Sequence, residues 1–427
     1  MARAVSTSEA SSKRVASAFG GLSSTFRQKA WIPIGNTCRE DLRGRKSFRH
    51  DHCAQFIAAL VFLHLYDGWN YLEGAFASLM RNDKATAGHL AYYAELRAAM
   101  SFLAANGVLT VNGRNYILTE NGNVKRLRGR KPTHSAVWDY LKEVSVFSTA
   151  SDRLYVDNLV CPCRIELSEW IREFTGSTAG CRSVFSSYVV GWGDDIKRFK
   201  KDRELRNMFS YTPSLLNSGS SLPVGDLCNI ASEFWDFFVP QTNGRFDDID
   251  KYILRRALWD IKKINNINDA DFGAKISRML GNLSLSAGER TSLANLLTQP
   301  QTTKPCILDK YKALDVNSGD VAHLGIFIRA SFLLRVATAA CLSYCRQSSM
   351  GRATFKPWID DLFVNKGWGA VGDVPSSLTD MRVDIDDAVS NIFGGLSLPY
   401  DQFIKKHSRD VDMLSRATYI MLWGLDL

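Results

Sequence analysis

The stretch HLGIFIRASFLLRVATAACLSYC, residues 323–345, constrains the fold more than any other. It is apolar and long enough to cross a bilayer, yet Arg329 and Arg335 lie inside it. An arginine near the middle of a span costs about 2.5–3.5 kcal/mol. No second span accompanies the stretch to share that cost. It therefore reads as a buried helix at the centre of a protein core, and no membrane is expected among the partners.

Helical periodicity governs most of the remaining chain. Cys53, Phe56, Ile57, Leu60, Val61, His64 and Leu65 repeat at i, i+3, i+4, i+7, which makes one apolar face. His89, Tyr93, Leu96, Met100 and Leu103 form a second stripe, stopped by Asn106-Gly107. The period then changes. VLTVNGRNYIL carries β-rich flanks around Asn112-Gly113, a strong hairpin signal. Further helices are expected near 134–149, 164–175 and 182–208. In the second half they are expected around Leu227–Phe238 and Ile249–Ile261, after the capping-box pattern Ser286 to Glu289, and near 377–393, 399–408 and 410–424.

At 427 residues the chain exceeds one ordinary core. The loop-like run NSGSS at 217–221 marks a seam. The expected fold is mainly α, with two helical domains and one small β-hairpin insertion near 108–118. The expected parts are a flexible tail over 1–38, a helical domain over 39–217 and a second helical domain over 223–427. Whether the two halves make one continuous body is left open by the sequence. The tail assignment rests on MARAVSTSEASSKRVASAFGG, which is rich in Ser and Ala and lacks the apolar segment of a secretion signal.

Nine cysteines, an odd number, point to free thiols in a reducing, cytoplasmic setting. Cys161 and Cys163 form CPC without a second knuckle, so no structural zinc is expected. Asp247, Asp248 and Asp250, like Asp384, Asp386 and Asp387, sit early in expected helices, where carboxylates favour the positive end of the dipole. No metal and no cofactor is expected, and no Gly-rich phosphate loop occurs.

The net charge is +9. Its distribution carries more information than its total. Arg43, Arg45, Lys46 and Arg49 cluster in REDLRGRKSFRHDH at 39–52, and Lys125, Arg126, Arg128, Arg130 and Lys131 in KRLRGRK at 125–131. Both runs contain Gly and read as loops. Such loops hold a phosphate backbone without reading its sequence, so nucleic acid is the expected partner.

One motif adds chemistry. In ELRNMFSYTP, residues 204–213, Arg206-Asn207 is followed by Tyr211 at the end of a highly charged helix. Taken alone, Arg206 and Asn207 either cap the helix or grip a phosphate. Over roughly residues 50–217 the chain resembles the HEPN superfamily (higher eukaryote and prokaryote nucleotide-binding). These are helical bundles, many of them metal-independent ribonucleases, with an Arg, often an Asn, and a His four to six residues on. The resemblance implies a catalytic set of Arg206, Asn207 and Tyr211, with Arg206 on the phosphate. Tyr211 stands where the family carries His, and a phenol with a reference pKa near 10 is a poor base at neutral pH. Residues 89–107, HLAYYAELRAAMSFLAANG, resemble uncharacterised bacterial proteins of the kind found among phage-defence genes. His64 and His89, on apolar stripes, read as hydrogen-bonded core histidines.

The expected function is a nucleic-acid-binding component of a bacterial defence or stress-response system, with 223–427 making protein contacts. One alternative is a metal-independent ribonuclease effector using Arg206, Asn207 and Tyr211. Another is a non-catalytic scaffold subunit. RNA versus DNA, and self-association, are left open.

Overall fold

The structure, a computed structural model, describes residues 6–22, 50–111, 114–127, 132–146, 159–175, 196–211, 221–299, 322–370 and 380–427. The fold is mainly α, with one small antiparallel sheet in the order β1-β2-β3. Helix α1 is Ser12–Gly20, α2 His50–Met80 and α3 Lys84–Ala105. Strands β1 (Val108–Val111), β2 (Arg114–Leu118) and β3 (Val124–Arg126) follow. Next come α4 (Thr133–Val146), α5 (Leu167–Thr175) and α6 (Ile196–Tyr211). The second half has α7 (Val224–Phe237), α8 (Asp247–Ile264), α9 (Asp269–Asn282), α10 (Ala287–Thr298), α11 (Ala322–Gln347) and α12 (Arg352–Asn365). It ends with α13 (Asp380–Phe393), α14 (Tyr400–Lys406), α15 (Ser408–Ser415) and α16 (Thr418–Gly424).

The apolar stretch is α11, and it lies at the centre. Its hydrophobic window is wholly covered by protein, as in a core helix. It packs mainly on α3 and also on α2, α1 and α16. Both internal arginines are buried with acidic partners. Arg329 Nε donates to Glu95 of α3 at 3.2 Å, and its Nη2 donates to Asp202 of α6. Arg335 grips Asp250 of α8 with two parallel bonds of 3.0 and 2.8 Å. The Cys161 backbone N–H adds a third bond to Asp250 at 3.2 Å.

Helices α2 and α3 form an antiparallel pair joined at Asn82, whose φ of 55° allows the tight reversal. Asp83 caps α3 by accepting the Thr86 N–H. Gly107, at φ 77°, then turns the chain into β1, where an added Cβ would crowd Leu118 O and the Ser11 backbone at 3.2 Å. The expected hairpin is present, with Val108 opposite Ile117 and Val111 opposite Arg114. A third strand, β3, pairs Leu118 with Val124 and carries Lys125 and Arg126.

The seam near 217–222 does not divide the core. One hydrophobic cluster runs from Val15 through α2, α3, the sheet, α7 and α11 to Leu427. A smaller one joins Trp170 and Ile171 of α5 to Leu258, Ile276 and Leu297 of α8 to α10. Both contain residues from either side of the seam.

Part of the expected flexible tail is folded. Residues 6–22 include a short 3-10 turn at Thr7–Glu9 and then α1, whose Val15, Phe19 and Leu22 are buried. The serines that suggested disorder act as caps: Ser6 accepts the Ser8 N–H and Ser11 the Arg14 N–H. Phe19 packs on Tyr344 of α11 with ring centroids 5.8 Å apart.

The bidentate pair makes a prediction. Asp250→Asn keeps the volume but leaves Arg335 buried without its counter-charge. Removing one partner of such a pair costs about 3–5 kcal/mol. The denaturant midpoint should fall accordingly, and a loss under about 1 kcal/mol would refute the assigned role of the pair.

Candidate anion site at Arg206

Helix α6 is pinned at both ends of one face, to α11 at one end and to α3 at the other. Asp202 holds it to Arg329, and Phe209 packs where Gly88 lets the two helices approach closely. A Cβ on Gly88 would overlap the Phe209 ring. Arg206 lies between these anchors on the same face, because Asp202, Arg206, Phe209 and Ser210 recur at i, i+4, i+7 and i+8.

Arg206 therefore points at α3. Its guanidinium stands 5.6 Å from the Tyr92 ring centroid and 5.9 Å from that of Tyr93, within cation–π range. Among the described residues it forms no ion pair, and its buried Nε has no hydrogen-bond partner. Two imidazoles flank it. His89 Nδ1 is 2.8 Å from Ser210 Oγ, and His134, in the first turn of α4, has Nδ1 3.0 Å from Tyr92 Oη. Arg203, one turn before Arg206, donates weakly to Ser135 Oγ at 3.4 Å.

The hydrogen bonds fix one tautomer. Ser210 Oγ donates its only proton to the Arg206 carbonyl at 2.8 Å. It must therefore accept from His89 Nδ1–H, which leaves the lone pair of His89 on Nε2. Burial lowers the pKa of His89 below its ordinary 6.5, and the Arg206 charge lowers it further. Burial does the same to His134, aided by Arg206 and Arg203. Burial pushes the Tyr92 phenol well above the usual tyrosine range, so it stays neutral. The cluster thus offers a cation without a carboxylate partner, two neutral imidazoles and aromatic faces. That combination is chemically complementary to an anion.

A partly open cavity of ≈ 430 Å³ adjoins this cluster and shares Tyr93 and His134 with it. Arg97 lines it too. Its Nη1 lies 3.0 Å from His64 Nδ1 and 3.4 Å from Asp67, so Arg97 reaches across to α2.

The three residues expected as a catalytic set do not converge. Asn207 is exposed and Tyr211 is 78% exposed, both away from the face that carries Arg206. Successive helix positions differ by about 100°, which separates 206 from 207 and from 211. His89 and His134 stand beside Arg206 instead, each from a different helix. The only sequence hint of His89 was its place on a stripe, and His134 gave none.

Of the basic residues, Lys125 is exposed and paired with Glu9 at 2.9 Å, and Arg126 is exposed on β3. Arg43, Arg45, Lys46, Arg49, Arg128, Arg130 and Lys131 lie outside the described residues. Among the described residues no group of His, Cys, Asp and Glu is placed to hold a metal ion. Comparison with family models, curated proteins and solved structures finds no match to this chain.

The depressed histidines predict a pH dependence. Their folded pKa values lie below the unfolded 6.5, so the unfolded chain takes up protons first. Their contribution to stability is present at pH 7 and is lost as pH falls through 6.5 and then through the folded values. His134→Gln should flatten the decline in melting temperature between about pH 7 and 5. An unchanged slope would exclude His134 as a source of it.

Proposed function

We propose that the Arg206 cluster binds the phosphodiester backbone of a nucleic acid, and that the chain serves as a nucleic-acid-binding component of a defence or stress-response system. The carrying observation is the Arg206 guanidinium, held over Tyr92 and Tyr93 beside His89 and His134, with no carboxylate partner among the described residues. A half-buried guanidinium whose covered Nε has no partner among the described residues is better satisfied when an anion completes it. A phosphate accepts from the guanidinium fork and from an imidazole N–H in one plane of contact. The positive end of α4, which begins at Thr133, favours the same charge. The overall charge of +9 draws a polyanion toward the protein.

A second reading, metal-independent RNA cleavage, draws support from the His89 tautomer. With its Nε2 lone pair free, His89 is able to take the proton from a ribose 2′-hydroxyl, whose oxygen then attacks the adjacent phosphorus as the P–O5′ bond breaks, leaving a 2′,3′-cyclic phosphate and a 5′-oxygen that takes a proton from water. Arg206 would hold the charge that develops on the phosphoryl oxygens. In this version His89 replaces Tyr211 as the proton acceptor.

The two readings separate in one experiment. Labelled single-stranded RNA, single-stranded DNA and duplex DNA are mixed with the protein at two salt concentrations, with EDTA present. Salt-sensitive binding that Arg206→Ala weakens by about 10–100-fold supports the backbone reading. RNA cleavage that persists in EDTA and disappears in His89→Ala supports the nuclease. Binding unaffected by Arg206→Ala in a folded protein rules out this site.

A further inference from the structure

We infer that the cavity beside Arg206 receives an unpaired nucleobase, so that the site takes a single-stranded nucleotide unit rather than a duplex. The inference rests on the phosphate reading above and names the rest of the ligand.

The lining of the cavity is divided by chemistry. Phe56 and Leu60 of α2, with Leu96 and Met100 of α3, give it an apolar wall. His64, Arg97, Thr110 and Thr133 give it a polar end. Arg97 can only donate, so its 3.0 Å bond to His64 requires an acceptor at Nδ1 and puts the His64 proton on Nε2. The polar end therefore combines threonine hydroxyls with an imidazole held by Arg97 and a guanidinium already anchored by Asp67.

A purely aliphatic guest would satisfy the wall and strand the threonine hydroxyls. A sugar would satisfy the donors and leave the wall wet. A flat heterocycle satisfies both, with apolar faces and hydrogen-bonding edges, and ≈ 430 Å³ falls in the range of small-ligand sites.

Position supplies the second argument. The Tyr93 ring lines the cavity and also lies 5.9 Å from the Arg206 guanidinium. His134 lines the cavity and stands 6.1 Å from the Tyr93 ring. Anion site and cavity are thus neighbours with a common aromatic wall. A phosphate on Arg206 with its own base in the cavity fills both at once. A base within a duplex has its faces stacked and its edge paired, and cannot enter.

The test compares strands that differ only in their bases. Fluorescence anisotropy follows a labelled twelve-nucleotide single strand, the same backbone made wholly abasic, and the corresponding duplex. The intact strand is expected to bind about tenfold more tightly than the abasic one, as stacking of a single base allows. Val111→Trp, at a half-buried strand position on the cavity rim, should bring the intact strand down to the abasic level and leave abasic binding unchanged. Its fold is checked by circular dichroism. Displacement of the labelled strand by a mononucleotide, where inorganic phosphate fails, also supports base entry and assigns the site to the free nucleotide. Equal binding of intact and abasic strands to the wild-type protein overturns the inference and spares the phosphate reading. Failure of every strand to bind overturns both.

Discussion

Two arginines inside an apolar helix set the terms for everything around them. Neither Arg329 nor Arg335 is tolerated in a core without a counter-charge, and each has drawn carboxylates from distant parts of the chain. Glu95, Asp202 and Asp250 lie on three different helices. Those three helices are therefore fixed against α11 in rotation as well as in distance, because a guanidinium fork accepts carboxylates in few orientations. Hydrophobic packing supplies the bulk of the attraction, and the ion pairs add direction to it. Packing and ion pairs together set the register.

That register reaches the candidate site through one helix. Asp202 and Arg206 are one turn apart on α6, so the contact that orients the first also aims the second. Nearer the end of the helix, Phe209 against Gly88 closes the gap to α3. The Arg206 side chain is left between two fixed points, over two aromatic rings. Its position is decided by Asp202 and Phe209, which lie outside the cluster around its guanidinium. The same arrangement commits Glu95 to Arg329, which keeps the nearest α3 carboxylate away from Arg206.

Much of the fold was legible in the sequence because it is written in short-range patterns. The stripes at 53–65 and 89–103 are α2 and α3, Asn112-Gly113 sits between β1 and β2, and the capping box at Ser286 and Glu289 opens α10 as expected. What failed to show was non-local. Helix α12 contains Pro357, and α9 follows a polar Asn/Asp run, so neither announces itself. Strand β3 has three residues and exists through its pairing with β2. The first residues look unstructured by composition, yet three buried apolar side chains and hydrogen bonds to β2 and α4 dock them. The site shows the same division. Arg206 was marked by a linear motif, but its neighbours come from α3 and α4, more than seventy residues earlier in the chain for His134 and over a hundred for His89. Linear spacing pointed instead to Asn207 and Tyr211, which helical geometry turns outward.

The place of α11 in the chain has a consequence for biogenesis. The carboxylates of Glu95, Asp202 and Asp250 are synthesised well before the arginines that neutralise them. Until α11 leaves the ribosome, α3, α6 and α8 have acidic groups on the faces they must bury, and no cation to cover them. Burial at that stage would desolvate charge without compensation. Closing the core around these carboxylates is therefore favoured only once α11 brings the matching charges. Folding of the first half before the second is thereby disfavoured, in contrast to the domain-by-domain order usual for chains of this length.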